Sequence, residues 1–316
     1  MRRLVLLFAS STTLAVAVLS GASCSAPSTG APIVTKRYGG GDDPPEAGHS
    51  IDGNLTVVDA TSGPREDAGP ALPGEVFAHT PKTLYKLEPI SKTLTRVGNF
   101  SCTAGADAAA QDVIDIAVDK GGKMYGTTFQ SLLLIDKATA ACTIVATATA
   151  LSFPNSLSFV PAGTVDPAVE ALVGFAVDSY VKIDPATGAM TTIGNLNPNA
   201  LGITFQSSGD IVSISGGQTY LTARSSGPDA GSGGDYLLEI DPSTGKVLKL
   251  VVDTQKSFLY GLGYWGGTAY AFSASGNSYA IDLSNGFTTL LSFPNGPLPD
   301  AGGWYGAGST TSAPTR

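Results

Sequence analysis

The sequence predicts an all-β fold built from repeats, on three observations. A short phrase ending in an acidic residue returns five times, at Leu84–Pro89, Leu132–Asp136, Tyr180–Pro185, Leu237–Pro242 and Tyr279–Asp282. Its acid stands at 88, 136, 184, 241 and 282, in steps of 48, 48, 57 and 41 residues. The residues between copies form short strand-like runs divided by Gly, Pro, Asn and Asp. A repeat of about 40–50 residues written in four short strands is the signature of a propeller blade. The expected architecture is a five-bladed β-propeller.

The 316-residue chain divides into four parts. Residues 1–24 read as an export signal. Arg2 and Arg3 precede an apolar run from Leu4 to Leu19, and small residues close it at Ser20–Cys24. Cys24 sits where the lipidated cysteine of a bacterial lipoprotein sits, and the segment resembles a lipobox. Gly21 stands there in place of the usual Leu, so plain cleavage after Ala22 or Ala26 stays open. Residues 25–74 are rich in Gly, Pro and Asp and poor in apolar side chains. Such a stretch cannot offset its ordering entropy and reads as a flexible tether. Residues 75–310 carry the propeller, and 311–316 form a tail.

Each repeat is divided into strands A to D from the centre outward. The first has B at Val76–Ala78, C at Leu84–Leu87 and D at Thr93–Val97, but no strand A. The second reads Val113–Val118, Lys123–Phe129, Leu132–Ile135 and Thr143–Ala148. The third reads Ser156–Val160, Ala171–Ala176, Tyr180–Ile183 and Met190–Ile193. The fourth is assigned Leu201–Phe205, Ile211–Ser215, Tyr236–Ile240 and Val247–Val251, with a long B–C insert over Gln218–Asp235. The fifth reads Tyr260–Trp265, Thr268–Phe272, Ser278–Ile281 and Thr288–Ser292. Trp304–Ser309 looks like a strand A with nothing after it. It should complete the first blade and close the ring, leaving no open sheet edge at the junction.

The repeated phrase has a hairpin explanation. Asp184 opens a turn, Pro185 presets φ, and Gly188 supplies the left-handed residue that returns the chain. Asp241 with Gly245 and Asp282 with Gly286 repeat the device. The five acids belong to five separate turns and are not a metal ring. Phe77-Ala78, Tyr125-Gly126, Val173-Gly174, Val212-Ser213 and Tyr270-Ala271 occupy matching B-strand places and read as core. His79 aligns with Thr127, Phe175, Ile214 and Phe272 as a packed position.

Composition excludes several functions. Net charge is −8 with only 18 Lys and Arg, and no basic cluster follows the signal. Phosphate neutralisation needs a positive footprint, so nucleic acid is not an expected partner. Contact with a membrane is expected only through a lipid anchor. Two histidines, His49 and His79, offer no Ser-His-Asp arrangement, and no cluster has metal spacing. No catalytic residue, metal or other cofactor is assigned. Cys102 and Cys142 are an even pair in an exported chain, either disulfide-bonded or two buried thiols.

A ligand site is expected on the face where the D–A connections and B–C loops gather around the hub. The starts of the A strands place Asp115, Asn155, Asn199, Tyr260, Trp304 and Tyr305 there. Aromatic faces beside amides and a carboxylate suit a glycan or a peptide. At the place of Asp115 the other repeats are assigned Ser156, Gly202, Gly261 and Gly306, which leaves no second acid for glycosidase chemistry.

The phrase apolar-x-Ile-Asp-x-x-Thr-Gly followed by a Thr-rich strand resembles repeats of secreted bacterial propellers in the broad YVTN and NHL-like group. The resemblance covers Glu75 to Ser309. It implies a propeller and leaves activity open, because that group holds binding and scaffolding domains as well as lactonases. The first expectation is an exported, lipid-anchored, monomeric binding module in the cell envelope, with a glycan, peptide or protein ligand. A hub-face hydrolase or lactonase is the second, and a structural envelope protein the third.

Overall fold

The computed structural model describes residues 74–103, 112–148, 151–226, 233–294 and 303–315. The signal, Cys24, nearly all of the expected tether and the middle of the Gln218–Asp235 insert lie outside the described residues.

Twenty strands form five four-stranded antiparallel sheets. The first sheet holds β1 (Val76–His79), β2 (Thr83–Glu88) and β3 (Thr93–Asn99). The second holds β4 (Asp115–Val118), β5 (Met124–Thr127), β6 (Ser131–Ile135) and β7 (Cys142–Thr147). The third is β8 (Ser158–Val160), β9 (Ala171–Ala176), β10 (Ser179–Ile183) and β11 (Met190–Asn195). The fourth is β12 (Phe205–Ser213), β13 (Thr219–Ser225), β14 (Asp235–Ile240) and β15 (Val247–Lys256). The fifth is β16 (Leu259–Trp265), β17 (Thr268–Ser273), β18 (Ser278–Asp282) and β19 (Thr288–Leu290). The last strand, β20 (Gly306–Ser309), pairs antiparallel with β1 and completes the first sheet.

The innermost strands touch in the order β20, β4, β8, β12, β16 and back to β20, so the sheets close a ring. The fold is a five-bladed β-propeller with its closure at β20. Five apolar clusters fill the five contacts between neighbouring blades. In the contact between blades five and one, Trp304 packs edge-on to Tyr85 at 5.5 Å and to Phe272 at 5.3 Å. Aromatic pairs in this geometry add to what their buried area contributes.

The repeated acids sit in the outer C–D turns. Asp184 accepts from Ala186 N–H at 2.8 Å and Asp241 accepts from Ser243 N–H at 2.8 Å. These hydrogen bonds hold both carboxyls below the usual range, and at Asp241 they outweigh a burial effect that pushes the other way. Four residues after each acid the chain is left-handed, at Lys92, Ala140, Gly188, Gly245 and Gly286. The device therefore holds in all five blades, although two of them use a non-glycine.

The fourth blade departs from its sequence assignment. Its strand A is β12, not Leu201–Phe205, and its strand B is β13, not Ile211–Ser215. Val212-Ser213 therefore lies on strand A, and Tyr220-Leu221 takes the B position. Similarly, Thr222, not Ile214, is the fourth-blade equivalent of His79. The cause is a bulge in β12 between Ser207 and Ile211, which broke the alternation used to place the strand. Much of the apparent insert is strand β13.

Cys102 and Cys142 are joined by a disulfide that ties the segment after β3 to β7, the outermost strand of blade two.

Candidate functional site

Correcting blade four changes the hub. At the first inward position of each strand A stand Gly306, Asp115, Ser156, Asp210 and Gly261. The register sets Gly306 opposite His79, Asp115 opposite Thr127 and Gly261 opposite Phe272. Side-chain hydrogen bonds place Ser156 beside Phe175 and Asp210 beside Thr222. A second hub acid therefore exists, and Gly202 does not occupy that place. The signal for it was the dipeptide Asp210-Ile211, which matches Asp115-Ile116.

Both acids are fully buried. Asp115 accepts from the N–H of Ile116 at 2.9 Å and, on its other oxygen, from Leu157 at 2.6 Å. Asp210 accepts from Ile211 and from Leu262, each at 2.6 Å, and from the backbone of Ala307. Asp115 thus ties blade two to blade three, and Asp210 ties blade four to blade five and to the closing strand. The two carboxyls lie close enough to interact directly with each other.

Burial raises both carboxyls well above the usual range, and the charge of Asp210 raises Asp115 further. Two adjacent buried carboxylates cannot both ionise cheaply. The pair therefore holds one proton between its two carboxyls, and three backbone N–H groups face Asp210 against two at Asp115. His79 is buried beside them. Its Nδ1 lies 2.9 Å from Thr80 O, and its Nε2 has no partner. Burial lowers its pKa to about 4, so the ring is neutral at pH 7. A Cβ on Gly306 would collide with both His79 Nε2 and Asp115 Oδ1. Glycine there lets His79 and Asp115 approach each other.

Above this sealed layer a cleft of about 410 Å³ opens on the hub face. It is lined by residues where all five A strands enter the hub, among them Ile114, Asn155, Gly209, Tyr260 and Tyr305, with Phe129 and Val177 from B–C connections and Arg224 from β13. A smaller hollow of about 160 Å³ adjoins it and shares Ser208, Arg224 and Tyr260. Three rings run edge to face along one side. Phe258 and Tyr260 are 6.1 Å apart, and Tyr260 and Tyr305 are 6.3 Å apart.

Of the six expected ligand residues, Asn155, Tyr260 and Tyr305 line this cleft. Asp115 lies beneath the floor as a strut between blades, and Trp304 is core, its Nε1–H donating to Gly276 O at 3.2 Å. Asn199 belongs to a separate hollow, where its side chain bonds Ile203 O and Leu201 N and shapes a turn. Sequence reasoning missed Phe129 and Val177, because B–C loop tips carry no repeated phrase, and Gln206 and Arg224, because the strands of blade four were misplaced.

Two features of the rim are costly. Val177 and Phe258 are left-handed at φ 62° and 60°, a conformation disfavoured for a β-branched or bulky residue. Both hold large apolar side chains in solvent, with 59% and 54% of their surface exposed, and Phe129, which lines the main cleft with Val177, is 55% exposed. Among the described residues no three His, Cys, Asp or Glu side chains are grouped to hold a metal.

No protein-family model matches the chain, and no curated protein matches it. Solved structures give distant likenesses. A chain of a nidogen/laminin complex has 12% identity and a TM-score of 0.45, covering 77% of this chain and 100% of that one. BamB from Moraxella catarrhalis has 14% identity and a TM-score of 0.31, covering 68% of this chain and 59% of that one. A Bacteroides thetaiotaomicron protein of unknown function has 14% identity and a TM-score of 0.39, covering 68% and 55%. This chain spans under two thirds of the latter two. Residue roles do not follow from likenesses this distant.

Proposed function

We propose that this protein is an exported, non-enzymatic binding module that holds a ligand in the hub-face cleft. The observation that carries it is the convergence of all five blades on one preformed hollow lined by Phe129, Asn155, Tyr260 and Tyr305. A preformed site costs little ordering on binding. Backbone strain that keeps apolar side chains exposed, as at Val177 and Phe258, is retained where function uses it. A hydrolase is less well supported, because the hub acids are fully buried and their oxygens take backbone N–H groups.

The first test is retention on a glycan and peptide panel by the exported chain. Tyr305→Ala and Tyr260→Ala should each weaken any retained ligand at least tenfold. Unchanged retention in both would sink the cleft as the site. Export and lipid anchoring at Cys24 complete the proposal, with the propeller displayed as a monomer from the cell envelope. Cys24→Ala should move the protein from the membrane to the soluble fraction and abolish labelling by an alkyne fatty acid. Unchanged fractionation and labelling would exclude the anchor.

A further inference from the structure

We propose that the cleft selects an acidic sugar, a uronate whose carboxylate meets Arg224 while its ring lies against Tyr260 and Tyr305. This rests on the binding-module reading above and names the ligand class for the same site. Arg224 is the one cation among the described residues that line the main cleft and the hollow beside it. It is exposed and stands where the two spaces meet. Asp235, which lines the same hollow and feels the charge of Arg224, is buried, and one of its oxygens accepts from Leu259 N–H at 2.6 Å. An arginine fork suits a planar carboxylate, with two parallel hydrogen bonds.

The rest of the lining argues for a sugar. Asn155, Gln206, Ser207 and the two tyrosines interleave amide and hydroxyl groups with aromatic faces. Polyhydroxylated rings present the same mixture, apolar C–H faces with a girdle of hydroxyls. The walls are built from Gln206–Gly209 of β12, the entries of the other A strands, Arg224 of β13 and the turns at Phe129 and Val177. The net charge of −8 repels polyanions at long range, which favours a short ligand with one carboxylate over a polymer.

The experiment titrates the exported chain with methyl β-D-glucuronide, its methyl ester and methyl β-D-glucoside, followed by saturation-transfer NMR and calorimetry. The glucuronide should bind at least tenfold more tightly than either neutral sugar. Arg224→Gln should erase that margin, Arg224→Lys should keep only part of it, and Tyr305→Ala should weaken all three sugars together. Equal binding of the three would overturn the acidic-sugar inference while leaving the binding module standing. Preference for a phenylalanine-terminated dipeptide acid over the glucuronide would overturn it in favour of a peptide. Failure of every probe, together with unchanged panel retention in the tyrosine variants, would remove both.

Discussion

Deleting the hub proton is the perturbation that tests the structure most sharply. Asp115→Asn keeps the size of the side chain and supplies an N–H toward Asp210, but removes one of two titrating groups. Both carboxyls are raised in the folded state, chiefly by burial, so the folded pair holds a proton that the unfolded chain has released. The stability this proton confers is present below the unfolded value of about 3.9 and is lost as pH rises through the folded titration. While one extra proton is held, the slope approaches about 1.4 kcal/mol per pH unit. His79 acts in the opposite direction, since its folded pKa lies below its unfolded one, but it falls silent above about pH 6.5. Above that pH the decline should belong to the acid pair.

The assay is urea unfolding followed by Trp fluorescence at half-unit steps from pH 5 to 9, for wild type, Asp115→Asn and Asp210→Asn. Wild type should lose stability with rising pH, and Asp115→Asn should flatten that limb. Asp210→Asn should be the more damaging, because an amide then faces three backbone N–H groups, against two at Asp115. Each N–H left without an acceptor costs about 1–3 kcal/mol, so a loss near 3 kcal/mol is expected at Asp210 and less at Asp115. Parallel pH curves for wild type and Asp115→Asn would refute a shared proton. Equal damage from the two substitutions would refute the number of N–H partners as the source of the difference.

Three further outcomes follow from the same geometry. Trp304→Ala removes the ring between Tyr85 and Phe272 at the closing strand and should cost about 3–5 kcal/mol in urea unfolding, whereas a loss below 1 kcal/mol would detach closure from that contact. Replacing Cys102 and Cys142 together by Ser opens a cross-link spanning 40 residues and should cost about 2–4 kcal/mol, read as a lower melting temperature; an unchanged melting curve would show that the link adds nothing. His79 should stay neutral in a proton NMR titration down to about pH 4, and its own contribution to stability, read as the difference between wild type and His79→Phe, should fall by about 3 kcal/mol between pH 6.5 and that point, since its folded pKa is depressed. Titration near 6.5 would mean that water reaches the hub.

Blade count and ring closure were legible because they rest on local chemistry that the chain repeats. Asp184, Asp241 and Asp282 open their turns with the same side-chain to backbone bonds, and Trp304–Ser309 resembles Leu259–Tyr264 residue for residue. Blade four was misread because a bulge adds residues to β12 without leaving a mark in composition. Periodicity then favoured Ile211–Ser215 as strand B and hid Asp210 in what looked like a connection. Half of the candidate site followed from strand position, as with Tyr260, Tyr305 and Asn155. Of the other half, Phe129 and Val177 sit at loop tips and Arg224 on β13, whose place the misread blade hid. Loop tips leave no periodic trace.

The hub acids and the cleft are two consequences of one register. Each strand A enters the ring from the hub face, so one residue at the entry lines the floor and the next points inward below. Ile114 lines the cleft and Asp115 is sealed, and Gly209 lines it while Asp210 is sealed. A buried acid pair is not the cheapest filling for that layer, since apolar residues of the same volume often stabilise as well or better. What the carboxylates add is direction. Each fixes backbone N–H groups of a neighbouring blade at 2.6 Å, which holds the strand starts, and with them Asn155, Tyr260 and Tyr305, in one arrangement. If that is their role, Asp210→Asn should weaken ligand binding even under conditions where the variant remains fully folded. Full affinity in the folded variant would leave the acids with a part in stability alone.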